Sequence, residues 1–250
     1  MSLSPKDVTP DMMKQRFARR EDLGLSRGEF AVLRRLATPE KIQAYLNATP
    51  ANHELGGETL LAVREVIRQR RAHCLEGAML AACALWVHGE PPLVLYMHCD
   101  SVDWPHVITL FKRGRCWGAI SKTNGVPLRY RDPVYRSLRE LVMSYFHEYY
   151  TRRGRKTLRG YSVPYDLRRM DTRLWVTNQH NGWEVNDKLE TLRHFMLVTS
   201  RQEKLLVRRD KFERTIAKLL EHPKPEPAGK SNKPKSVKTA PTKAFLSSNA

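Results

Sequence analysis

Between Cys74 and Asn124 the hydrophobic period of the chain changes once, and that change limits the fold more than any other feature. The stretch CLEGAMLAACALWV, from Cys74 to Val87, is apolar on all sides, with Gly77, Ala78, Ala81, Ala82 and Ala84 letting neighbours approach closely. Such a pattern predicts a central, buried helix, ended by His88 and Gly89. From Pro91 onward PPLVLYMHC, HVITLFKRG and RCWGAISKT are short runs rich in β-branched and aromatic residues, separated by Asp, Pro and Gly. The expected fold class is therefore α+β: a helix bearing Cys74 packed on an antiparallel meander over 91–99, 106–112 and 115–122.

The flanks are read by the same rules. Short amphipathic helices are expected over Arg27–Leu36 and Pro39–Leu46, the second with Thr38 as N-cap and Pro39 in its first position, and another over Glu58–Arg70. DPVYRSLRELVMSYFHEYY reads as one helix opened by Asp132 and Pro133; residues 154–183 read as irregular, and Glu184–Leu220 as helical with a break near Thr199. The resulting division is an N-terminal helical region (1–37), a core (38–130), a helical C-terminal extension packed on it (131–222) and a disordered basic tail (223–250). No repeat period is present.

Forty-four Lys and Arg against twenty-six Asp and Glu give a net charge of +18 over 250 residues. Six tail lysines against Glu226 carry +5 of it, so the body is basic too. Apolar residues at 41% fit a folded, soluble chain, and no run is long enough for a signal peptide or a membrane span. Four cysteines without secretory context read as reduced thiols, which points to the cytoplasm.

One constellation carries chemistry. Cys74 opens the buried helix after RQRRAH, where helix N–H groups and the nearby cations Arg70 and Arg71 favour thiolate over thiol. His106, 32 residues on, opens the strand after DWP. A helix-start Cys, a strand His and a third polar group are the order of a cysteine acyl-transfer site, with the Cys74 N–H in the oxyanion hole.

At these residues, over about Pro39–Asn124, the sequence resembles the transglutaminase-like branch of the papain-like cysteine superfamily. The matching elements are Cys74 on its Ala- and Leu-rich helix, PPLVLYMHC, His106, KRGR and Trp117; HCLEGA and WGAISKTN are similar to segments of bacterial transglutaminase-like proteins. The resemblance implies a papain-like core, a Cys–His site and no cofactor. Its pattern places an Asp four residues after the Trp, where this chain has Ser121, and a Trp two after the His, where it has Ile108. Asn124, of a type that papain-like enzymes use to orient the imidazole, is the expected third group, with Ser121, Thr123 and Asp103 as alternatives. Trp104 and Trp117 are the expected contacts to a protein or peptide substrate.

Bland readings stand beside these. An Ala-rich helix with Cys74 and Cys83 is an ordinary core helix, His106 an ordinary structural histidine, and His73 a cap or a solvent-facing group. Glu76 reads as a surface charge or a partner of Arg68–Arg71. His73, Cys74, His88, His98, Cys99 and Cys116 lack zinc-site spacing, and no phosphate-binding glycine loop occurs. Two rival functions remain. RRGRKTLRGYS, with Arg152, Arg153, Arg155 and Lys156 beside Tyr149, Tyr150 and Tyr161, suits nonspecific nucleic-acid contact. A catalytically inactive papain-like domain would serve as an interaction module.

Overall fold

In the computed structural model, which describes residues 15–225, helices come first and strands follow, as the change of period predicts. The helices are α1 (Arg27–Arg35), α2 (Pro39–Ala48), α3 (Val63–Gln69) and α4 (Cys74–Val87). Ser26 and Glu29 cap α1 reciprocally, and the Thr38 hydroxyl accepts the Lys41 N–H at the start of α2. The helix expected from Glu58 begins only at Val63. The donors before it are committed elsewhere: Leu60 N–H donates to Asn181 Oδ1 and Leu61 N–H to the Glu76 carboxylate.

Helix α4 is buried from Leu75 to Trp86 without interruption. Against it lies β2 (His106–Arg113), whose Thr109 hydroxyl donates to the Ala78 carbonyl at 2.7 Å. With β1 (Leu93–Cys99) and β3 (Cys116–Ile120) this forms the antiparallel meander, in register from Leu93 opposite Leu110 to Met97 opposite His106. Alternate residues go to opposite cores. Val94, Tyr96, Val107 and Phe111 join the α1–α4 side, whereas Leu95, Met97, Ile108 and Leu110 join a second core with Leu141, Val142, Tyr145 and Phe146. Both faces of the sheet are covered, which explains why its strands read as unbroken apolar runs.

The C-terminal half corrects the sequence reading. Arg131–Tyr135 is not the start of a helix but strand β4, paired with β3; the helix, α5 (Leu138–Met143), starts after Ser137, whose hydroxyl accepts the Glu140 N–H. Pro133 fits there because β4 is an edge strand. Residues 154–183 are not irregular: they hold β5 (Leu158–Ser162), β6 (Tyr165–Asp166) and α6 (Thr172–Trp175). Glu184–Leu220 is helical only in α7 (Trp183–Glu190) and α8 (Ser200–Glu203), with β7 (His194–Met196) between them and a 3₁₀ segment at Glu213–Lys218. Leu205, Phe212 and Leu219, within the part read as helical, are 73%, 85% and 62% exposed.

Among the described residues the sheet has seven strands, in the order β4-β3-β2-β1-β5-β7 with β6 also on β1, all antiparallel. Residues 131–222, expected as a helical extension, thus supply four strands to the sheet built by the core. Most of the tail, 226–250, lies outside the described residues, as do residues 1–14. Among the described residues no helix is long and apolar enough to cross a membrane.

Candidate functional site

Cys74 is the first residue of α4, so its backbone N–H has no acceptor within the helix. The turn is fixed from below by Glu76, whose buried carboxylate accepts the N–H of His73 at 2.8 Å, the N–H of Leu61 at 2.7 Å and the Asn52 amide at 3.0 Å. Glu76 is therefore neither a surface charge nor a partner of Arg68–Arg71; Arg68 pairs with Glu29 and Glu65, and Arg71 with Gln69. His73, the N-cap residue, turns its Nε2 toward the Thr59 carbonyl at 3.0 Å and the Glu76 carboxylate at 3.3 Å.

His106 and Ser121 come from the ends of neighbouring strands. His106 opens β2, is 6% exposed, and places Nε2 2.8 Å from the Ser121 hydroxyl. Ser121, one residue past β3, is gripped by Gln43 of α2: its N–H donates to Gln43 Oε1 at 2.9 Å and its carbonyl accepts Gln43 Nε2 at 2.9 Å. The Ser121 hydroxyl also contacts the Leu128 carbonyl. A carbonyl can only accept, so the hydroxyl proton goes to Leu128 and Ser121 offers His106 a lone pair. His106 accordingly carries its proton on Nε2, which leaves Nδ1 as the basic nitrogen. Gly77 lets this strand end approach α4, because a Cβ there would lie 2.4 Å from Lys122 Cβ.

Burial would raise the Cys74 thiol, yet hydrogen bonding to His106 and His73, with their charges, holds it well below the ordinary thiol range. The groups that lower the Cys74 thiol are thus the two imidazoles and not Arg70 and Arg71. For His73 burial works against protonation, but Cys74 and Glu76 outweigh it and raise its pKa to about 9. Cys83 and Cys99 are pushed up by burial, Cys99 to about 11. Lys122 is brought down by burial to about 8; its ammonium donates to the Leu46 and Thr49 carbonyls at the end of α2.

Cys74 and His106 lie where two cavities meet. One, of about 280 Å³, is lined by Asn52, His53, His73, Lys122, Thr123 and Asn124 as well as by the pair. The other, of about 350 Å³, runs past Asp103, Trp104, Pro127, Glu148, Tyr149 and Tyr150. Trp104 is 80% exposed at its edge. Trp117 lines neither cavity: it packs at the margin of the second core, with the Lys112 ammonium 4.1 Å above its ring.

Asn124 lines the first cavity, but its amide does not orient His106; it donates to the His222 carbonyl and accepts the His222 N–H, both at 2.8 Å. Thr123 and Asp103 do not hold the imidazole either, since Asp103 accepts from Thr157 and Trp104. The parts that sequence reasoning missed are Gln43, the Leu128 carbonyl and the His73–Glu76 pair. Only the Glu three residues after His73 left a trace, as a capping pattern.

The expected basic cluster is partly engaged in contacts within the chain. Arg152 and Arg153 are exposed, while Arg155 pairs with Asp100 at 2.8 Å and Lys156 donates to the Val207 carbonyl. Arg155 and Lys156 line a separate cavity of about 460 Å³ with Arg159, Glu203, Lys204 and Arg208. Among the described residues no group of three or more His, Cys, Asp or Glu side chains is placed to hold a metal ion. The chain matches no family model and no curated protein.

Proposed function

We propose that this protein is a cysteine-dependent hydrolase or acyltransferase acting on an amide or peptide bond, with a transglutaminase-like, papain-like site. One observation carries the reading: a thiol at a helix start shares two cavities with an imidazole that acts to lower its pKa and whose tautomer is fixed by Ser121. Cys74 is the nucleophile and His106 the proton carrier. Ser121, the third member, orients the ring in place of Asn124; without charge it stabilises an imidazolium less than a carboxylate would.

The steps follow from these roles. Cys74 gives its thiol proton to Nδ1 of His106, its sulfur bonds to the carbonyl carbon, and the carbonyl π pair moves to oxygen beside the Cys74 N–H. Collapse breaks the C–N bond as His106 gives its Nδ1 proton to the departing amine. Water or a second amine then attacks the thioester, gives its proton to His106 and releases Cys74. The two cavities on either side of the sulfur suit the acyl and leaving-group portions of a polypeptide, with Trp104 at the edge of one.

The test uses p-nitrophenyl acetate as acyl donor. A burst of nitrophenol with an acetyl group on Cys74, found by mass spectrometry and abolished in Cys74→Ser, is the expected result. Acetyl groups found only on lysines would defeat the reading and leave the interaction module. A salt-sensitive mobility shift of labelled RNA or DNA, lost on changing Arg152, Arg153 and Arg155, would favour nucleic-acid contact.

A further inference from the structure

Ser121 leaves a charge problem at the site. It fixes the His106 tautomer but offers no negative charge, so the imidazolium that would accompany a Cys74 thiolate is poorly held. A second imidazole sits beside the same sulfur: His73 precedes Cys74 in the chain and lines the same cavity as Cys74 and His106, and both rings act to lower the thiol pKa. The two rings differ in their far partners. The far nitrogen of His106 meets a hydroxyl, whereas that of His73 meets a carbonyl that can only accept and a carboxylate.

Nε2 of His73 therefore carries a proton in either charge state. Glu76 is 0% exposed, and besides His73 its partners among the described residues are N–H, amide and hydroxyl donors, with no Lys or Arg. A buried carboxylate in that setting favours a cation on the imidazole it touches. The charged and titratable groups facing His73 are Cys74 and Glu76 from α4, His106 from β2, and across the cavity His53 and Lys122.

We propose that His73 is a second catalytic imidazole, held by Glu76 as a fixed cation that keeps Cys74 ionised, while His106 alone transfers protons. The proposal rests on the cysteine-enzyme reading and divides its labour. The thiol proton passes to Nδ1 of His106 and the thiolate left behind is stabilised by His73, so that His106 gives that proton to the leaving amine and then takes one from the incoming nucleophile. Glu76 is a positioning residue acting through His73. No bond to His73 forms or breaks in the cycle.

The experiment measures iodoacetamide alkylation of the full-length protein across pH, with modification mapped to Cys74 by mass spectrometry. Wild type should react with a midpoint well below the ~8.5 of a free thiol. His73→Gln should raise the midpoint by about one unit or more, slowing Cys74 about ten-fold at pH 6.5, and Glu76→Gln should move it the same way by less. His73→Lys, which restores the charge, should recover the low midpoint; His106→Ala should keep part of the depression and leave the acetyl group on Cys74 for longer, because no base activates the attacking water.

An ordinary wild-type midpoint would overturn the enzyme reading and this proposal together. A low wild-type midpoint unchanged in His73→Gln, or raised equally in His73→Gln and His73→Lys, would overturn the proposal alone. Should the variants fail to fold, ¹⁵N-histidine spectra of the wild type at pH 7.5 decide the matter: an imidazolium signal for His73 is expected, and a neutral ring would refute it.

Discussion

Two stretches of the chain border the same cleft and are held in place by different forces. The layer that carries Cys74, His106 and Ser121 is fixed by apolar burial: Leu33, Ile42, Leu46, Met79, Leu80 and Trp86 are fully buried around α4. The stretch from about 199 to 222 is held by polar contacts. Arg159 pairs with Glu203, Lys156 with the Val207 carbonyl, Asn124 with His222, and Arg129 with Glu221, while Leu205, Val207, Phe212, Ile216, Leu219 and Leu220 face solvent and Leu206 packs against the second core. The difference teaches where the chemistry can reside. A site that must hold sulfur, imidazole and hydroxyl within tenths of an ångström belongs on the layer that solvent does not compete for.

Breaking the packed layer should therefore cost most. Gln43→Ala strips both backbone partners from Ser121 in a buried place, and the expected loss is about 2–4 kcal/mol of stability, read by urea denaturation, together with slower Cys74 alkylation. Gly77→Ala forces Lys122 away from α4 and should destabilise by about 1–3 kcal/mol. Its sharper readout is the Cys74 midpoint, which should rise because Ser121 and its hold on His106 move with Lys122.

Lys122 adds a pH signature to the comparison. Its pKa is about 8 in the folded protein and 10.5 ordinarily, so between these values the unfolded chain binds more protons. Stability from this group accordingly rises with pH across that window. Lys122→Met should lose this slope in thermal melts, and should leave the Leu46 and Thr49 carbonyls without their ammonium donor, a cost of about 1–3 kcal/mol.

On the other stretch the effects should be small. Arg129→Ala removes a partly exposed ion pair and should cost below about 1 kcal/mol, shrinking further in salt. Phe212→Ser, at an exposed position, should change stability by no more than about 0.5 kcal/mol. A loss of several kcal/mol at either position would end the contrast between the two regions.

The same contrast explains what could be read in advance. Helix α4 and strands β1 to β3 were legible because burial on all sides writes unbroken apolar runs into the sequence, a long one rich in Ala and Leu and then short ones rich in β-branched and aromatic residues. Strand β5 was not, since its buried Arg159 looks like a surface residue until Asp100 and Glu203 are seen to neutralise it. Strand β4 was hidden by Asp132 and Pro133, which open helices and equally suit a strand edge.

At the site, Cys74 and His106 were found from helix and strand starts. The third group was not, because Asn124 and Ser121 lie three residues apart and only the fold decides which one meets the imidazole. Glu76 shows the converse: next to RQRR it reads as a surface charge, and only tertiary burial turns it toward His73.

The central claim is that the fold singles out one thiol of four. Cys83 and Cys99 are buried with raised thiol pKa values, and Cys116 is half-buried at the start of β3. The direct measurement is one equivalent of iodoacetamide on the native protein at pH 6.5, followed by peptide mapping. The account predicts the label on Cys74, slowed by His106→Ala. A label on Cys116, or one spread over several cysteines without preference, would contradict it.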